Sequence, residues 1–213
     1  MKAKVAVLFL AMTALVAALP ARSQDGMTMT TPVFGQIIFY QLPAAFQPSY
    51  EDASTDGYIQ EAVPAGETVN DWSQMITMTG VKDAEGQADM LEGAAQVLAG
   101  HFQQACADTF TGTSFGATEI NGLAGLVVFL GCGTVAPSEE GQEARSETAV
   151  IVYVKSAFGY VTVQWAERGP PMAARPEYDI DTWKPRLAQL LPIRLCDAVT
   201  GEEPPYPSCN AQP

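Results

Sequence analysis

The residues with the most chemistry to offer sit together in one short stretch. Trp72 closes a run of hydrogen-bonding side chains, Glu67, Thr68, Asn70 and Asp71, that follows Pro64-Ala65-Gly66. A loop entered through Pro and Gly exposes its polar side chains, and loops on rigid sheets are where binding residues concentrate. Acceptors beside an indole ring suit ligand binding. The plainer use of such a Trp is as a packing anchor with its N–H satisfied, because large aromatics are more often buried than presented.

Other stretches match reactive motifs in letters but not in setting. Gly112-Thr113-Ser114-Phe115-Gly116 fits G-x-S-x-G, yet a nucleophile elbow needs a buried strand before the serine and a helix after it. Here the match follows a predicted helix and precedes a predicted strand, and the lone histidine, His101, lies upstream. A glycine loop ending the helix explains the stretch. Gly131-Cys132-Gly133-Thr134-Val135-Ala136 fits a dinucleotide fingerprint, but Pro137 follows where a helix should begin, and position 151 is Ile rather than an acid. Asp52-Ala53-Ser54-Thr55-Asp56-Gly57-Tyr58-Ile59 places oxygen ligands at the first, third and fifth positions of an EF-hand loop. Position 12 is Val63 where a bidentate Glu is required, so a hairpin turn accounts for it. His101 falls on the flank of a helix's apolar face with no second ligand or base at a useful spacing. Acid pairs are plentiful enough to keep a carboxylate-dependent hydrolase as the rival reading.

Four cysteines, Cys106, Cys132, Cys196 and Cys209, lack any C-x-x-C spacing, and His101 alone does not complete a tetrahedral metal set. Disulfides are the expectation, and neighbours in the chain are the natural partners: Cys106 with Cys132, and Cys196 with Cys209 across a Pro-rich tail. Neither a metal nor a cofactor is expected.

The elements that must position these residues follow from periodicity. Residues 34–42 (FGQIIFYQL) and 58–63 read as strands forming a first hairpin, and 74–79 as a third strand. Residues 88–109 form the clearest helix, with Leu91, Ala94, Ala95, Leu98, Phe102, Ala105 and Cys106 on one face. Residues 123–132 read as a buried strand, 148–155 and 160–166 as a second hairpin, and 182–191 as a helix capped by Asp181 and stopped by Pro192. The expected order is β-β-β-α-β-β-β-α, an α+β domain with helices packed on an antiparallel sheet.

The ends and the charge place the protein. Lys2 and Lys4, an apolar run over residues 5–19 and Ala21-Arg22-Ser23 have the layout of an export signal, so residues 1–23 are predicted to be removed before Gln24. Residues 24–32 read as a disordered lead, 33–196 as one domain and 197–213 as a tail tethered by a disulfide. The apolar run is shorter than the roughly 20 residues a bilayer core requires, so no membrane anchor is expected in the mature chain. Cleavage leaves eight of the 11 bases against all 24 acids, a net charge of −16. Such a surface repels nucleic acid and favours solubility or a cationic partner.

The element order resembles the PsbP-like fold, found in many exported bacterial proteins. The stretch Val63-Pro64-Ala65-Gly66-Glu67-Thr68-Val69-Asn70-Asp71-Trp72-Ser73-Gln74-Met75-Ile76-Thr77 also resembles a segment of secreted bacterial proteins of unassigned function. The resemblance implies the α+β fold and carries no catalytic residue. With one histidine, cysteines expected as disulfides and every reactive motif out of its setting, the expectation is a periplasmic, non-enzymatic binding or accessory domain, acting on an envelope protein or a small ligand. The rivals are the carboxylate-dependent hydrolase and an acidic inhibitor of a basic secreted protein.

Overall fold

The structure, a computed structural model, describes residues 26–82, 89–137 and 143–210, so the predicted signal peptide lies outside the described residues. Among the described residues, ten strands and three helices follow one another: β1 (Met27–Val33), β2 (Gln36–Leu42), β3 (Phe46–Ala53), β4 (Gly57–Pro64), β5 (Gln74–Lys82), α1 (Met90–Ala105), β6 (Phe110–Ile120), β7 (Leu123–Val135), β8 (Arg145–Lys155), β9 (Gly159–Gly169), α2 (Ile180–Leu190), β10 (Arg194–Asp197) and α3 (Pro207–Asn210). All strand pairs are antiparallel, in a three-stranded sheet ordered β1-β2-β10 and a seven-stranded sheet ordered β3-β4-β5-β9-β8-β7-β6. The fold is mostly β and sandwich-like, which corrects the α+β expectation of a single sheet covered by helices.

The reason for the error is local. Four strands read as lead, turn or loop, and they are the four sheet edges: β1, β10, β3 and β6. Edge strands tolerate Pro, Gly and charge because one side of their backbone needs no partner. Pro32 sits in β1, Pro48 and the Glu51-Asp52 pair in β3, and Gly112 and Gly116 in β6. The supposed disordered lead thus forms β1 from Met27 onward. The glycine stretch 112–116 is strand, with a bulge between Ser114 and Ala117, rather than a loop. The first hairpin is also reassigned, since β4 pairs with β3 while β2 belongs to the other sheet.

Alternation along the central strands divides the interior in two. On one face Val150, Val152 and Val154 of β8 and Val161, Val163 and Trp165 of β9 meet Ile38, Tyr40 and Leu42 of β2, with Trp183 and Leu190 of α2 alongside. On the other face Ala149, Ile151 and Tyr153 meet Leu91 and Ala95 of α1. Each fully buried large aliphatic side chain contributes roughly 1.5–3 kcal/mol. A polar clasp also joins the sheets: the Tyr40 hydroxyl donates to Gln60 Oε1 at 2.9 Å. Burial, with Glu51 nearby, pushes the Tyr40 pKa up.

β2 is apolar on both sides because both are covered. Its outward Ile37 and Phe39 pack under Cys196, Cys209 and Tyr206 of the C-terminal tail. The disulfides join Cys106 to Cys132 and Cys196 to Cys209, with Cα atoms 5.7 and 5.5 Å apart. The first ties the end of α1 to β7, and the second fastens the tail to the small sheet. Disulfides form and persist in oxidising compartments, consistent with an exported protein. Among the described residues, no helix is long and apolar enough to cross a membrane.

Candidate functional site

The loop from β4 to β5 is built by its own side chains. Gly66 adopts φ +93°, which the tight turn from Pro64 to Glu67 requires at its third residue. The Glu67 carboxylate then accepts from the Ser73 amide at 2.6 Å and the Ser73 hydroxyl at 2.7 Å, closing the loop on itself. Inside it, Thr68 and Asp71 exchange backbone hydrogen bonds of 3.1 and 3.2 Å, and the Thr68 hydroxyl accepts from the Asp71 amide. A loop so braced holds Trp72 in one place.

Trp72 points inward and is 5% exposed, in the core shared with Met75, Leu91 and Ala166. The Arg168 guanidinium from β9 lies over its ring at 3.8 Å from the centroid, and Arg168 Nε donates to Glu147 of β8 at 2.9 Å. A guanidinium stacked on indole and fixed by a carboxylate loses little further freedom on meeting a ligand. Across the opening, Arg145 at the start of β8 pairs with Asp71 at 2.8 Å, and their side chains are 39% and 78% exposed. An ion pair that exposed is worth about 0–1 kcal/mol, so an incoming anion can exchange for Asp71.

Trp72, Arg168, Arg145 and Asp71 line a cleft of about 470 Å³ together with Gly169, Pro170 and Pro171. Its chemistry is two guanidinium groups and an indole, with Glu67, Asp71 and Glu143 also in the lining. An arginine fork matches a carboxylate or phosphate bidentately. Among the described residues, Nε to Glu147 is the only side-chain hydrogen bond of Arg168.

Of the residues singled out from sequence, Glu67, Asp71 and Trp72 meet at this cleft. Thr68 and Asn70 do not line it: Thr68 braces the turn, and Asn70 is exposed. The two arginines and Glu147 escaped sequence reading, although a signal existed. Arg145 and Arg168 lie at the open end of the β8–β9 hairpin, where counting back from its turn brings them together, and the register pairs Ser146 with Gly169 and Glu147 with Arg168.

The remaining motifs resolve quietly. Asp52–Ile59 is the β3–β4 turn, closed by the Ser54 amide on the Gly57 carbonyl at 2.7 Å, with Lys82 Nζ donating to the Thr55 carbonyl at 2.9 Å. His101 is exposed on α1. Among the described residues, no group of three or more His, Cys, Asp or Glu side chains could hold a metal ion. Burial raises the Glu61 pKa, but Glu61 lies within β4 and does not line the cleft. No protein-family model matches this chain, and no curated protein matches it either.

Proposed function

We propose that this protein is a periplasmic, non-enzymatic binding domain that holds an anionic group of an envelope protein or small ligand in the Trp72 cleft. The observation that carries the reading is the Arg168 guanidinium, held over the Trp72 ring by Glu147 and sharing one cleft with Arg145, whose own pair is exposed and exchangeable. A fixed fork beside a movable one suits a carboxylate: the first sets its plane, and the second closes on it once Asp71 is displaced. The acidic surface around the cleft turns away anions that cannot make both contacts, so specificity comes from geometry rather than from net attraction.

A photo-crosslinking residue at exposed position 70 tests this in cells. The reading predicts a discrete adduct that fades with Arg168→Lys or Arg145→Ala while expression is unchanged. An adduct indifferent to both arginines would remove the cleft from the binding function.

A further inference from the structure

The two edges of the seven-stranded sheet are treated differently. β3 carries Pro48 and the charges of Glu51 and Asp52, devices that stop a strand edge from pairing with another chain. Both edges are bulged, β3 between Pro48 and Tyr50 and β6 between Ser114 and Ala117, which leaves residues 110–114 as the regular stretch of β6. β6 has neither Pro nor Lys, and residues 112–119 are exposed. In an antiparallel ladder every second residue of an edge strand turns its N–H and C=O away from its neighbour. Among the described residues, no backbone hydrogen bond joins β6 to anything on the side away from β7.

A groove of about 280 Å³ runs beside that open edge, between β6 and α1. Its floor is Phe110, Leu126, Val128 and Leu130, with Ala95 and Ala99 on the helix side. Gly112 keeps it open, since a Cβ there would stand 3.0 Å from Phe110 Cζ and 3.4 Å from Leu130 Cδ2. The charge has one sign: α1 and β6 together contain Glu92 and Glu119 and no Lys or Arg. Arg175 reaches only the approach to the strand, donating to the Asp108 carbonyl.

We propose that the open edge of β6 and its groove form a docking site for an extended segment of another protein, with apolar residues at alternate positions and Lys or Arg at the end that reaches Glu92 and Glu119. The backbone of that segment adds an eighth strand along residues 110–114, its inward side chains fill the groove, and its basic end meets Glu92 and Glu119, which lie toward the same end of β6. A second copy of this chain is the weaker occupant, because it brings the same net charge of −13, or more once the signal is removed. This site is separate from the Trp72 cleft and does not depend on what that cleft binds.

The probe is a capped peptide, Lys-Val-Thr-Val-Thr-Val-Lys, added to the mature protein while amide exchange is followed residue by residue. Binding should slow exchange of alternate β6 amides by about tenfold. Glu92→Lys should weaken the peptide by about fivefold at low salt, and Gly112→Val should abolish binding by filling the groove without unfolding the domain. A peptide with Pro at its centre should not bind, because it cannot complete the ladder. Three results would overturn the proposal: no protection in β6, equal binding of the Pro peptide, or β6 protection that rises with protein concentration in the absence of peptide, which would assign the edge to a second copy.

Discussion

Glu167 and Arg168 are neighbours near the end of β9, and the pleat sends them to opposite faces of the large sheet. Each joins a cluster made of the same parts. On the α1 face, Arg168 lies on Trp72 and pairs with Glu147. On the α2 face, Glu167 pairs with Arg186, which lies 5.3 Å from the Trp183 ring centroid and 6.0 Å from that of Trp165. The ion pairs are similarly sheltered, their side chains between 21% and 29% exposed. Their surroundings differ. Arg186 Nη1 also donates to the Thr182 carbonyl at 2.6 Å, and the Trp165 indole donates to Gln74 at 3.1 Å, so Arg186 Nε, Arg186 Nη1 and the Trp165 N–H all have partners within the fold. Arg168 instead lines an open cleft with Arg145. One set of residues thus makes a clamp where a helix closes over it and the lining of a cleft where a loop leaves it open.

Removing the aromatic platforms should have the largest effect. Trp72→Ala and Trp165→Ala should each cost about 3–5 kcal/mol in denaturant unfolding, with Trp165 the costlier because its hydrogen bond to Gln74 and its edge contact with Phe46 go too. Equal costs, or a costlier Trp72, would erase the distinction between clamp and surface. The disulfides sharpen the same contrast from further away. By loop closure, Cys106–Cys132 with its separation of 26 should contribute about 3.5 kcal/mol, against about 2.9 for Cys196–Cys209 with its separation of 13. Paired serine variants of each bridge, compared by chemical unfolding, check that order.

The arginines should separate more finely. Arg186→Ala should destabilise by about 1 kcal/mol more than Arg168→Ala, since it also frees a helix carbonyl and two ring faces. Arg145→Ala should change stability by no more than about 0.5 kcal/mol, as expected of an exposed pair. The smallest effect is a pH dependence confined to the clamp side. Hydrogen bonds from Thr182 and from the Asp181 amide hold the Asp179 carboxyl below its usual range at the start of α2. Its folded pKa is depressed, so its contribution is present above the ordinary carboxylate pKa and disappears as pH falls through the lower, folded value. Backbone exchange in the first turn of α2 should quicken in acid, and Asp179→Ala should remove that dependence.

What the sequence disclosed follows from burial. β2, β4, β5, β7, β8 and β9 each have a neighbour on both sides, and their apolar or alternating residues announce them. α1 shows itself through Leu91, Ala95 and Leu98, and α2 through Trp183 and Leu190. The edges carry Pro32, Pro48 and Gly112 because half their backbone needs no partner, and those residues read as breaks. Without its edges the pattern pairs β2 with β4 and shows no second sheet, whereas β2 lies between β1 and β10 and β4 between β3 and β5. The site divides along the same line. Glu67, Asp71 and Trp72 stand together in the chain and were legible, whereas Arg145, Glu147 and Arg168 reach them only through the register of a distant hairpin.

The central claim is that Arg168 and Arg145 receive an anionic group while Arg186 does not. Side-chain NMR of the arginine Nε–H groups during a titration with succinate tests it most directly, because one spectrum reports all three. The account predicts saturable shifts for Arg168 and Arg145, an unmoved Arg186, and loss of the Arg145 response in Arg168→Lys. Shifts of equal size at Arg186, or none at Arg168 up to saturating succinate, would contradict it.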